Sequence, residues 1–508
     1  MELNAPRPDP PKGPYLVAGL GRAGRAAARR LLTLAGPDAV SAWDASMRRS
    51  VQATAEELRR EGVRVVLGGD GVSLLEERRP RCLVKSPGIA PSVSLVREAC
   101  QRRIVVIDEL ELGWRLDPRP MIAVTGTNGK STVASLAMAL LRAAGAHPVL
   151  AGNVHPGPAF TELAEDDGDV VICEASSFQL EGCPAFLPEI ALFTNLTHEH
   201  LDRHMTMRRY GAAKRRMFVR GRACVATAIV NVDDRFGARL AEEIRRAGGT
   251  ALRYGQGADT DYRLLDCGWT LENAWLTADT PRGRVELTTR LPGRHNAFNA
   301  LAALALADAL AMHPARAADA IGGTPPVPGR FQVMEGDHPF DVVIDFAHNP
   351  DGLRCILEAG RALVDASRGR LRVVCSAPRI RNEEQRRMMG RIAASLADHL
   401  ILTTERWPET DASPELPAEF QKAALRRPIG CCEVVLDRSD AIERGLRAAR
   451  PGDLVMILGR GNLSGALLDR AGQPRPFDDR ETARRLLAVL QRPGRQKRPD
   501  GTLLAATG

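Results

Sequence analysis

A glycine-rich segment that ends in a lysine and two hydroxyl residues is the strongest chemical signal in the sequence. It follows an apolar run at residues 121–125 and precedes a helix-forming run at residues 131–144. Its members, in order, are Gly126, Thr127, Asn128, Gly129, Lys130, Ser131 and Thr132. A glycine loop before a helix points backbone N–H groups at an anion, and the helix dipole adds to the attraction. Lys130 would neutralise β- and γ-phosphate charge, and the hydroxyl of Ser131 or Thr132 could bind Mg²⁺.

This loop departs from the usual P-loop pattern at one position, because Val124 stands where that pattern has a glycine. An ordinary strand–turn–helix connection is the alternative interpretation. The run Gly-Lys-Ser-Thr in the correct strand-to-helix context favours the phosphate-binding one.

A second glycine turn lies near the N-terminus, at Gly19, Gly21 and Gly24, with Arg22 inside it. It also follows an apolar strand and precedes a helix, and Asp44 ends the next strand about 20 residues on, as in a dinucleotide-binding unit. NAD is therefore one candidate ligand for this part of the chain, and a nucleotide-sugar diphosphate is the other. A further turn follows a later strand, where such sheets bind ligands. It consists of Ser86, Pro87 and Gly88.

A carboxylate and a group of histidines follow two later strands. Glu174 comes directly after an apolar run at residues 170–173, which suits coordination of Mg²⁺ beside a phosphate loop. The group contains His198, His200, Asp202 and His204. Its spacing is not that of HExxH, which argues against zinc-dependent hydrolysis. Lys214 follows on a predicted helix and, taken alone, is typical of a solvated surface lysine.

The elements that must position these residues alternate between short apolar strands and amphipathic helices, which predicts an α/β fold. A chain of 508 residues exceeds one hydrophobic core, so we expect about three domains of ~150 residues. Proline-containing segments near residues 118–120 and 325–328 predict the linkers. We expect a Rossmann-like domain at residues 14–118, a central P-loop domain at 119–328, a Rossmann-like domain at 329–492 and a disordered tail at 493–508.

Composition narrows the class of protein. With 44% hydrophobic and 26% charged residues, the chain is typical of a soluble globular protein. No run of about 18 apolar residues predicts a membrane span, and the proline-rich N-terminus lacks a signal-peptide core. Ten cysteines without CxxC spacing favour free thiols in a reducing cytoplasm. The net charge of +8 is spread along the chain, which favours an anionic small-molecule substrate over nucleic acid.

Several motifs taken in order along the chain resemble the Mur ligases. They include the loop ending in Lys130, Glu174-Ala-Ser-Ser-Phe-Gln-Leu, Asn195-Leu-Thr-His-Glu-His-Leu-Asp, Tyr210-Gly-Ala-Ala-Lys214, His295-Asn296-Ala-Phe-Asn299, Pro328-Gly-Arg330-Phe and Asp345-Phe-Ala-His348-Asn-Pro. The resemblance implies three domains that bind a UDP-muramoyl substrate, ATP and an amino acid. It also implies an acyl-phosphate intermediate, which the amine of the amino acid attacks. The implied cofactors are ATP and two Mg²⁺ ions.

Site residues carry over from the family where the motifs match. Ser131 and Glu174 are implied as ligands of one Mg²⁺, and His200 as a ligand of the second. Lys214 matches a lysine that is carbamylated in the family and helps to hold that second metal. The remaining matches are Asn296, Arg330 and Asp345 at ATP, and Asn153 near the sugar of the substrate. Gly21, Arg22, Asp44, Ser86, Pro87 and Gly88 complete the predicted substrate site.

The two halves of the chain resemble different branches of the family. The N-terminal half is most similar to ligases that add glutamate to UDP-N-acetylmuramoyl-alanine. The C-terminal half is more similar to ligases that add the third residue, or to cyanophycin synthetase. The Asp-Asn-Pro-Arg motif that recognises diaminopimelate is absent, and Glu405-Arg-Trp-Pro408 stands at about that place. We predict a monomeric, cytoplasmic glutamate ligase of peptidoglycan precursor synthesis.

Three alternatives are open at this point. The first is an amide ligase of cyanophycin-type or specialised metabolism with another carboxylate donor or acceptor. A non-catalytic paralogue that only binds ligands is the second, and retention of Lys130, Glu174, His200 and Lys214 disfavours it. The third is an NAD dehydrogenase, which rests on the first glycine turn alone.

Overall fold

A computed structural model describes residues 7–154, 157–165, 167–377, 382–408, 413, 415–425, 432–469, 471–490 and 506–507. Three α/β sheets follow one another along the chain, and they form a Rossmann-like N-terminal domain, a central domain with the phosphate loop and a Rossmann-like C-terminal domain. The predicted α/β fold with three domains is thereby confirmed. The exact boundaries at residues 118 and 328 stay predictions.

The N-terminal domain is built on a five-stranded, fully parallel sheet in the order β3-β2-β1-β4-β5. Its elements are β1 (Tyr15–Ala18), α1 (Arg22–Ala35), β2 (Val40–Asp44), α2 (Arg49–Arg60), β3 (Arg64–Leu67), α3 (Ser73–Glu77), β4 (Cys82–Lys85), α4 (Ser94–Gln101), β5 (Val105–Asp108) and α5 (Glu109–Leu116). The first turn requires glycine, since a Cβ at Gly24 would lie 1.6 Å from the Gly19 carbonyl oxygen. This contact brings α1 directly against the end of β1.

The central domain contains the largest sheet, in the order β16-β15-β14-β13-β12-β9-β6-β8-β7. The strands of the domain are β6 (Met121–Thr125), β7 (Pro148–Gly152), β8 (Val170–Glu174), β9 (Ile190–Phe193), β10 (Val219–Arg220), β11 (Ala223–Cys224), β12 (Thr227–Asn231), β13 (Thr250–Gly255), β14 (Tyr262–Trp269), β15 (Ala274–Thr280) and β16 (Gly283–Thr289). Of these, β10 and β11 form a separate antiparallel pair. The helices are α6 (Lys130–Ala143), α7 (Ser177–Leu180), α8 (Leu201–His204), α9 (Met207–Arg215), α10 (Arg235–Arg246), α11 (Arg294–Ala309) and α12 (Pro314–Gly322). The parallel strands β8, β6 and β9 are adjacent, so their carboxyl ends meet at one edge.

The C-terminal domain has a six-stranded sheet in the order β17-β18-β22-β19-β20-β21, in which only β17 is antiparallel. Its elements are β17 (Gln332–Val333), β18 (Asp341–Asp345), α13 (Pro350–Ser367), β19 (Leu371–Cys375), α14 (Glu383–Leu396), β20 (His399–Leu402), α15 (Ala418–Ala424), β21 (Cys432–Val434), α16 (Arg438–Arg447), β22 (Leu454–Leu458), β23 (Gly465–Leu468), β24 (Pro474–Phe477) and α17 (Asp479–Leu490). Apolar side chains of α13 share one buried cluster with the central domain, and Trp269 donates its indole N–H to the Ala359 carbonyl at 3.2 Å.

The apolar run at residues 223–231 forms two strands, because the chain forms β11, turns, and then forms β12 in the large sheet. The disordered tail at residues 493–508 lies outside the described residues except for Ala506–Thr507, a two-residue strand paired with β14. In the part of the chain that is described, no helix has the length and apolar character needed to cross a membrane.

Candidate active site

The phosphate loop lies between β6 and α6, and its glycines occupy positions that no other residue fits. Gly129 has φ +87°, and a Cβ there would lie 2.6 Å from the Asn299 amide oxygen. Gly126 has φ +150°, and its Cβ would lie 1.9 Å from the Thr194 hydroxyl oxygen. The loop is therefore shaped by close contacts with β9 and α11, and it opens at the N-terminus of α6, where an anion is favoured.

Lys130 is the first residue of α6, and its side chain folds back over this loop. Its Nζ donates to the carbonyl oxygens of Gly126 at 3.1 Å and Thr127 at 2.8 Å. Burial lowers the pKa of the Lys130 amine, while the nearby Glu174 carboxylate opposes that shift. The ammonium is thus held at the mouth of the loop, where bound phosphates would replace the two carbonyls.

Ser131 and Glu174 are brought together as predicted. The Ser131 hydroxyl donates to Glu174 Oε2 at 2.7 Å, and Asn153 Nδ2 donates to Glu174 Oε1 at 3.0 Å. Hydroxyl and carboxylate oxygens are the ligands that Mg²⁺ prefers. This pair fits a magnesium ion beside the phosphates, and Asn153 orients the carboxylate from the opposite side.

Lys214 is a buried residue, contrary to its interpretation in isolation as a surface lysine. Only 1% of it is exposed, and Nζ donates to the Gly126 carbonyl at 2.7 Å and to the Thr125 hydroxyl at 3.3 Å. The ammonium lies 4.9 Å from the centre of the Tyr210 ring. Burial, reinforced by the charge of Lys130, brings the pKa of Lys214 well below its usual range.

The histidines that follow β9 do not form one site. His204 is buried and bonds to Ser177 at 2.9 Å and to Glu181 at 3.1 Å, while His198 offers its carbonyl to Gln385 at 3.0 Å. His200 adopts φ +54° at the start of α8 and lies 4.6 Å, ring to ring, from Phe178. Among the described residues no group of three His, Cys, Asp or Glu side chains forms a ready metal site.

Glu199 and His348, which the sequence did not single out as site residues, extend the region around His200. Glu199 is 2% exposed, and its Oε1 is 3.9 Å from His200 Nε2 and 3.9 Å from His348 Nε2. Both lie within segments that resemble the family, at residues 195–202 and 345–350. His348 comes from the C-terminal domain, so a carboxylate of the central domain lies between histidines of two domains.

The residues predicted to bind the rest of ATP lie around the loop. Asn296 on α11 accepts from Asn299 Nδ2 at 2.9 Å, and Asn299 in turn lies under Gly129. The Arg330 guanidinium lies 4.3 Å from the Phe346 ring centre. Asp345 accepts two backbone N–H groups at 2.7 Å each, and burial raises the pKa of its carboxyl group.

The predicted substrate residues lie where the N-terminal and central domains meet. A groove of about 380 Å³ is lined by Leu20, Gly21, Arg22, Arg25, Ser50, Val51, Thr54 and Glu162. Arg22 donates to the carbonyls of Gly152 at 3.2 Å and Val154 at 2.9 Å, on either side of Asn153. The turn that contains Ser86, Pro87 and Gly88 follows β4 at the same sheet end, with Ser86 N–H bonded to Ala18.

Asp44 has a structural task in this turn. Its Oδ2 accepts from the Leu20 N–H at 2.6 Å, and its Oδ1 accepts from the Ser46 N–H at 2.7 Å. One oxygen of the carboxylate therefore supports the glycine turn, and the other supports the backbone just after β2. This arrangement disfavours the NAD alternative, in which the carboxylate would bind a ribose hydroxyl.

The C-terminal domain touches the phosphate loop directly. Asn128 Nδ2 donates to Asp351 at 2.9 Å, and Asn349 Nδ2 donates to the Asn128 amide oxygen at 3.0 Å. Asn349 also caps α13 by accepting from the Gly352 N–H at 2.8 Å. The loop asparagine is thus connected to the first turn of α13, and the site is enclosed by two domains.

Comparison with known families decides the assignment. The sequence model described as Mur ligase middle domain matches residues 124–307, and the one described as Mur ligase, glutamate ligase domain matches residues 329–461. A UDP-N-acetylmuramoyl-L-alanyl-D-glutamate–2,6-diaminopimelate ligase of Syntrophomonas wolfei is 31% identical over 392 residues, 72% of this chain and 78% of the relative. The chain belongs to the Mur ligase family. Like the other members of this family, it is an amide ligase that depends on ATP and Mg²⁺.

Other relatives of this Mur ligase bear the same name as the Syntrophomonas protein. The ligase of Streptomyces coelicolor is 32% identical over 393 residues, which cover 73% of this chain and 76% of the relative. That of Thermosynechococcus vestitus is 33% identical over 397 residues, 72% and 76% of the two chains. The names of these relatives support a Mur ligase, but they do not support the more specific prediction of a glutamate-adding ligase.

Solved structures share the fold over most of this Mur ligase. A UDP-N-acetylmuramate–alanine ligase of Thermotoga maritima gives a TM-score of 0.58 at 18% identity, covering 94% of this chain and 98% of that one. A folylpolyglutamate synthase of Mycobacterium tuberculosis, solved with ADP and AMPPCP, gives 0.56 at 18% identity, covering 67% and 88%. The first of these likenesses extends over the N-terminal domain, which lies outside both matched family segments.

Proposed function

We propose that this Mur ligase joins glutamate to the carboxylate of UDP-N-acetylmuramoyl-alanine in the cytoplasm, as a step of peptidoglycan precursor synthesis. ATP would phosphorylate the alanine carboxylate, because a carboxylate is a poor electrophile without a leaving group. The amine of glutamate would then attack the acyl phosphate, and inorganic phosphate would leave. The donor, the nucleotide and the acceptor would be bound by the N-terminal, central and C-terminal domains respectively.

One observation carries this proposal, namely that the substrate groove and the nucleotide site share a wall. Asn153 donates to Glu174, which is bonded to Ser131 at the phosphate loop. The carbonyls on both sides of Asn153 accept hydrogen bonds from Arg22, which lines the groove. A carboxylate at the end of a substrate in this groove would therefore reach the γ-phosphate of a nucleotide in the loop, as in-line transfer requires.

The side chains around the phosphate loop supply the remaining needs of phosphoryl transfer. Lys130 would hold the transferring phosphoryl group and stabilise its charge. Ser131 and Glu174 would hold a Mg²⁺ ion, which supplies charge stabilisation at the phosphate oxygens. The lowered pKa of Lys214 increases the fraction of neutral amine, which is the form that reacts with carbon dioxide to give a carbamate and a proton. That carbamate and His200 are proposed to hold a second metal ion.

The acceptor is expected at the carboxyl ends of the C-terminal strands, where open α/β sheets bind ligands. Arg460 follows β22 there, is fully buried and lies 4.1 Å from the Trp407 ring centre. Within the described part of the chain, its Nε and Nη1 atoms have no hydrogen-bond partner. A buried guanidinium with open donors fits a carboxylate of the acceptor, which both glutamate and diaminopimelate supply.

Diaminopimelate is the second candidate acceptor, and the names of the relatives favour it. In that case the donor would be the dipeptide precursor rather than UDP-N-acetylmuramoyl-alanine. The segment at the corresponding recognition position argues against diaminopimelate, because Glu405-Arg-Trp-Pro408 stands there in place of Asp-Asn-Pro-Arg. There, the Glu405 carboxylate is already bonded to the Ser376 hydroxyl and, at 3.2 Å, to the Trp407 indole N–H.

Phosphate release from ATP tests the assignment. The purified enzyme would be incubated with Mg²⁺, one of two donors, and D-glutamate, L-glutamate, meso-diaminopimelate or L-lysine. The donors are UDP-N-acetylmuramoyl-L-alanine and UDP-N-acetylmuramoyl-L-alanyl-D-glutamate, and mass spectrometry would identify each product. Glutamate-dependent release with the first donor is expected. Release only with the second donor and diaminopimelate would refute the glutamate assignment in favour of the second candidate.

A further inference from the structure

The segment that carries His200 also sends an arginine into the N-terminal domain. Arg203, on α8, is largely buried, with 11% of its side chain exposed. Its Nη1 donates to the Gly88 carbonyl at 3.3 Å, and its Nη2 donates to the carbonyls of Pro87 at 3.3 Å and Ile89 at 3.2 Å. We call residues 86–89 the donor turn, because it contains predicted binding residues for the substrate that provides the carboxylate. One guanidinium therefore binds three successive carbonyl oxygens of a turn in another domain.

The donor turn is shaped for this contact. The Ile89 N–H donates to the Ser86 carbonyl at 2.9 Å, and the Ser86 N–H donates to Ala18 at 2.8 Å, which joins the turn to the end of β1. Within the turn, the carbonyls of residues 87–89 converge on Arg203. A planar guanidinium can reach several of these oxygens from one position, whereas a lysine ammonium acts as a point charge.

On its other side Arg203 is fixed by the central domain. Its Nε and Nη2 atoms bond to Glu181 Oε2 at 3.1 Å and 2.7 Å, and the guanidinium lies 4.7 Å from the Phe178 ring centre. The same Phe178 ring lies 4.6 Å from the His200 ring. A single aromatic side chain thus contacts both the predicted metal-binding histidine and the arginine that holds the donor turn.

A second arginine makes the reciprocal contact. Arg22 of the N-terminal domain donates to the Gly152 and Val154 carbonyls of the central domain, beside Asn153. Each domain therefore places an arginine on a ligand-facing turn of the other. Arg203 is the more buried of the two, so its hydrogen bonds compete less with water.

We propose that Arg203 is a positioning residue that sets the donor turn, and through it the UDP-linked substrate, relative to the phosphoryl-transfer site. The inference rests on the proposed function for the identity of that substrate. Without the guanidinium, the three carbonyl oxygens lose the hydrogen-bond partner that they share, and the donor turn is free to shift away from α8. The donor carboxylate would then spend less time within reach of the γ-phosphate.

Steady-state kinetics would test this role with Arg203→Gln and Arg203→Lys. For Arg203→Gln we expect the KM for UDP-N-acetylmuramoyl-alanine to rise roughly tenfold, since hydrogen bonds from a charged donor are lost. The KM for ATP should change less than about twofold, because Arg203 touches no part of the phosphate loop. Arg203→Lys should restore part of the donor affinity. The matched control is Arg209→Gln, which removes an exposed arginine of the next helix.

Hydrogen–deuterium exchange of the ligand-free enzyme gives a readout that does not depend on the substrate. The peptide that contains the donor turn should exchange faster in Arg203→Gln than in the wild type, and Arg209→Gln should match the wild type. Unchanged exchange in this peptide would overturn the proposal, as would an equal rise in both KM values. A wild-type enzyme that does not use UDP-N-acetylmuramoyl-alanine would refute the proposed donor, while the exchange comparison would still decide the role of Arg203.

Discussion

The Ser131 hydroxyl donates to Glu174 Oε2 at 2.7 Å, which joins the start of α6 to the end of β8. These residues are 43 positions apart, and they meet because β6 and β8 are neighbours in the parallel sheet. A hydroxyl and a carboxylate at this distance present two oxygen ligands to one small cation. The pair therefore links the fold of the central domain to its use of Mg²⁺.

Removal of the hydroxyl should weaken Mg²⁺ binding more than nucleotide binding. For Ser131→Ala we expect the Mg²⁺ concentration at half-maximal rate to rise on the order of tenfold, because one oxygen ligand is lost. Glu174→Gln should lower kcat further. A Mg²⁺ titration of phosphate release would measure both, with Glu56→Gln, an exposed carboxylate on α2, as the control. An unchanged Mg²⁺ dependence in Ser131→Ala would contradict the role given to the pair.

Substitution of Lys130 should separate chemistry from donor binding. Lys130→Ala removes the ammonium that lies over the loop at 2.8 Å from the Thr127 carbonyl, and kcat should fall on the order of 10²–10³-fold. Binding of the UDP-linked donor, measured by calorimetry without ATP, should stay nearly unchanged. Lys422→Ala, on the exposed face of α15, is the matched control. Turnover comparable to the wild type in Lys130→Ala would refute the proposed role of the loop.

The activity of the enzyme should depend on carbon dioxide through Lys214. Its lowered pKa increases the fraction of neutral amine relative to an ordinary lysine, and only the neutral amine forms a carbamate. We expect the activity of carbon-dioxide-depleted enzyme to rise when bicarbonate is added. Lys214→Arg keeps the positive charge but forms no carbamate, so its kcat should fall at least about a hundredfold. A ¹³C-bicarbonate-derived carbamate resonance in the wild type, absent from the variant, is the direct measurement; equal signals would contradict this role.

Glu109 should make the stability of the enzyme depend on pH. The residue is 1% exposed and accepts from the Thr161 N–H at 2.6 Å and the Thr161 hydroxyl at 2.7 Å, and burial raises the pKa of its carboxyl group to about 7. The folded state therefore binds this proton more tightly than the unfolded state. Its contribution to stability is greatest at low pH and is lost as the pH rises through about 7.

Glu109→Gln stays neutral and keeps an acceptor for Thr161. We expect the difference in free energy of unfolding between this variant and the wild type to increase, in favour of the variant, by on the order of 2 kcal/mol from about pH 5 to about pH 8. Thermal denaturation of both proteins at the two pH values would measure the difference, with Glu56→Gln as the exposed control. Parallel pH profiles for the wild type and Glu109→Gln would show that the buried carboxyl group does not titrate in this range.

The local chemistry of this protein follows from contiguous segments of its sequence. The phosphate loop is one contiguous segment, so its glycines, Lys130 and Ser131 specify the strand, the turn and the helix start without help from distant residues. The same holds for the alternation of apolar strands and helices, which predicted three α/β domains. A resemblance over many such segments also indicated the family before any geometry was known.

Which residues share a site, and in what protonation state, depends on how the chain packs in three dimensions. The segment around Lys214 predicts a surface residue. The side chain is buried instead, because helix α9 packs it against β6 and the phosphate loop. Glu199 lies between His200 and His348, which belong to different domains. Arg203 reaches the donor turn across 115 positions of sequence. Such contacts depend on how the domains pack, and burial then sets the charge of each group, so no pattern within a single segment encodes them.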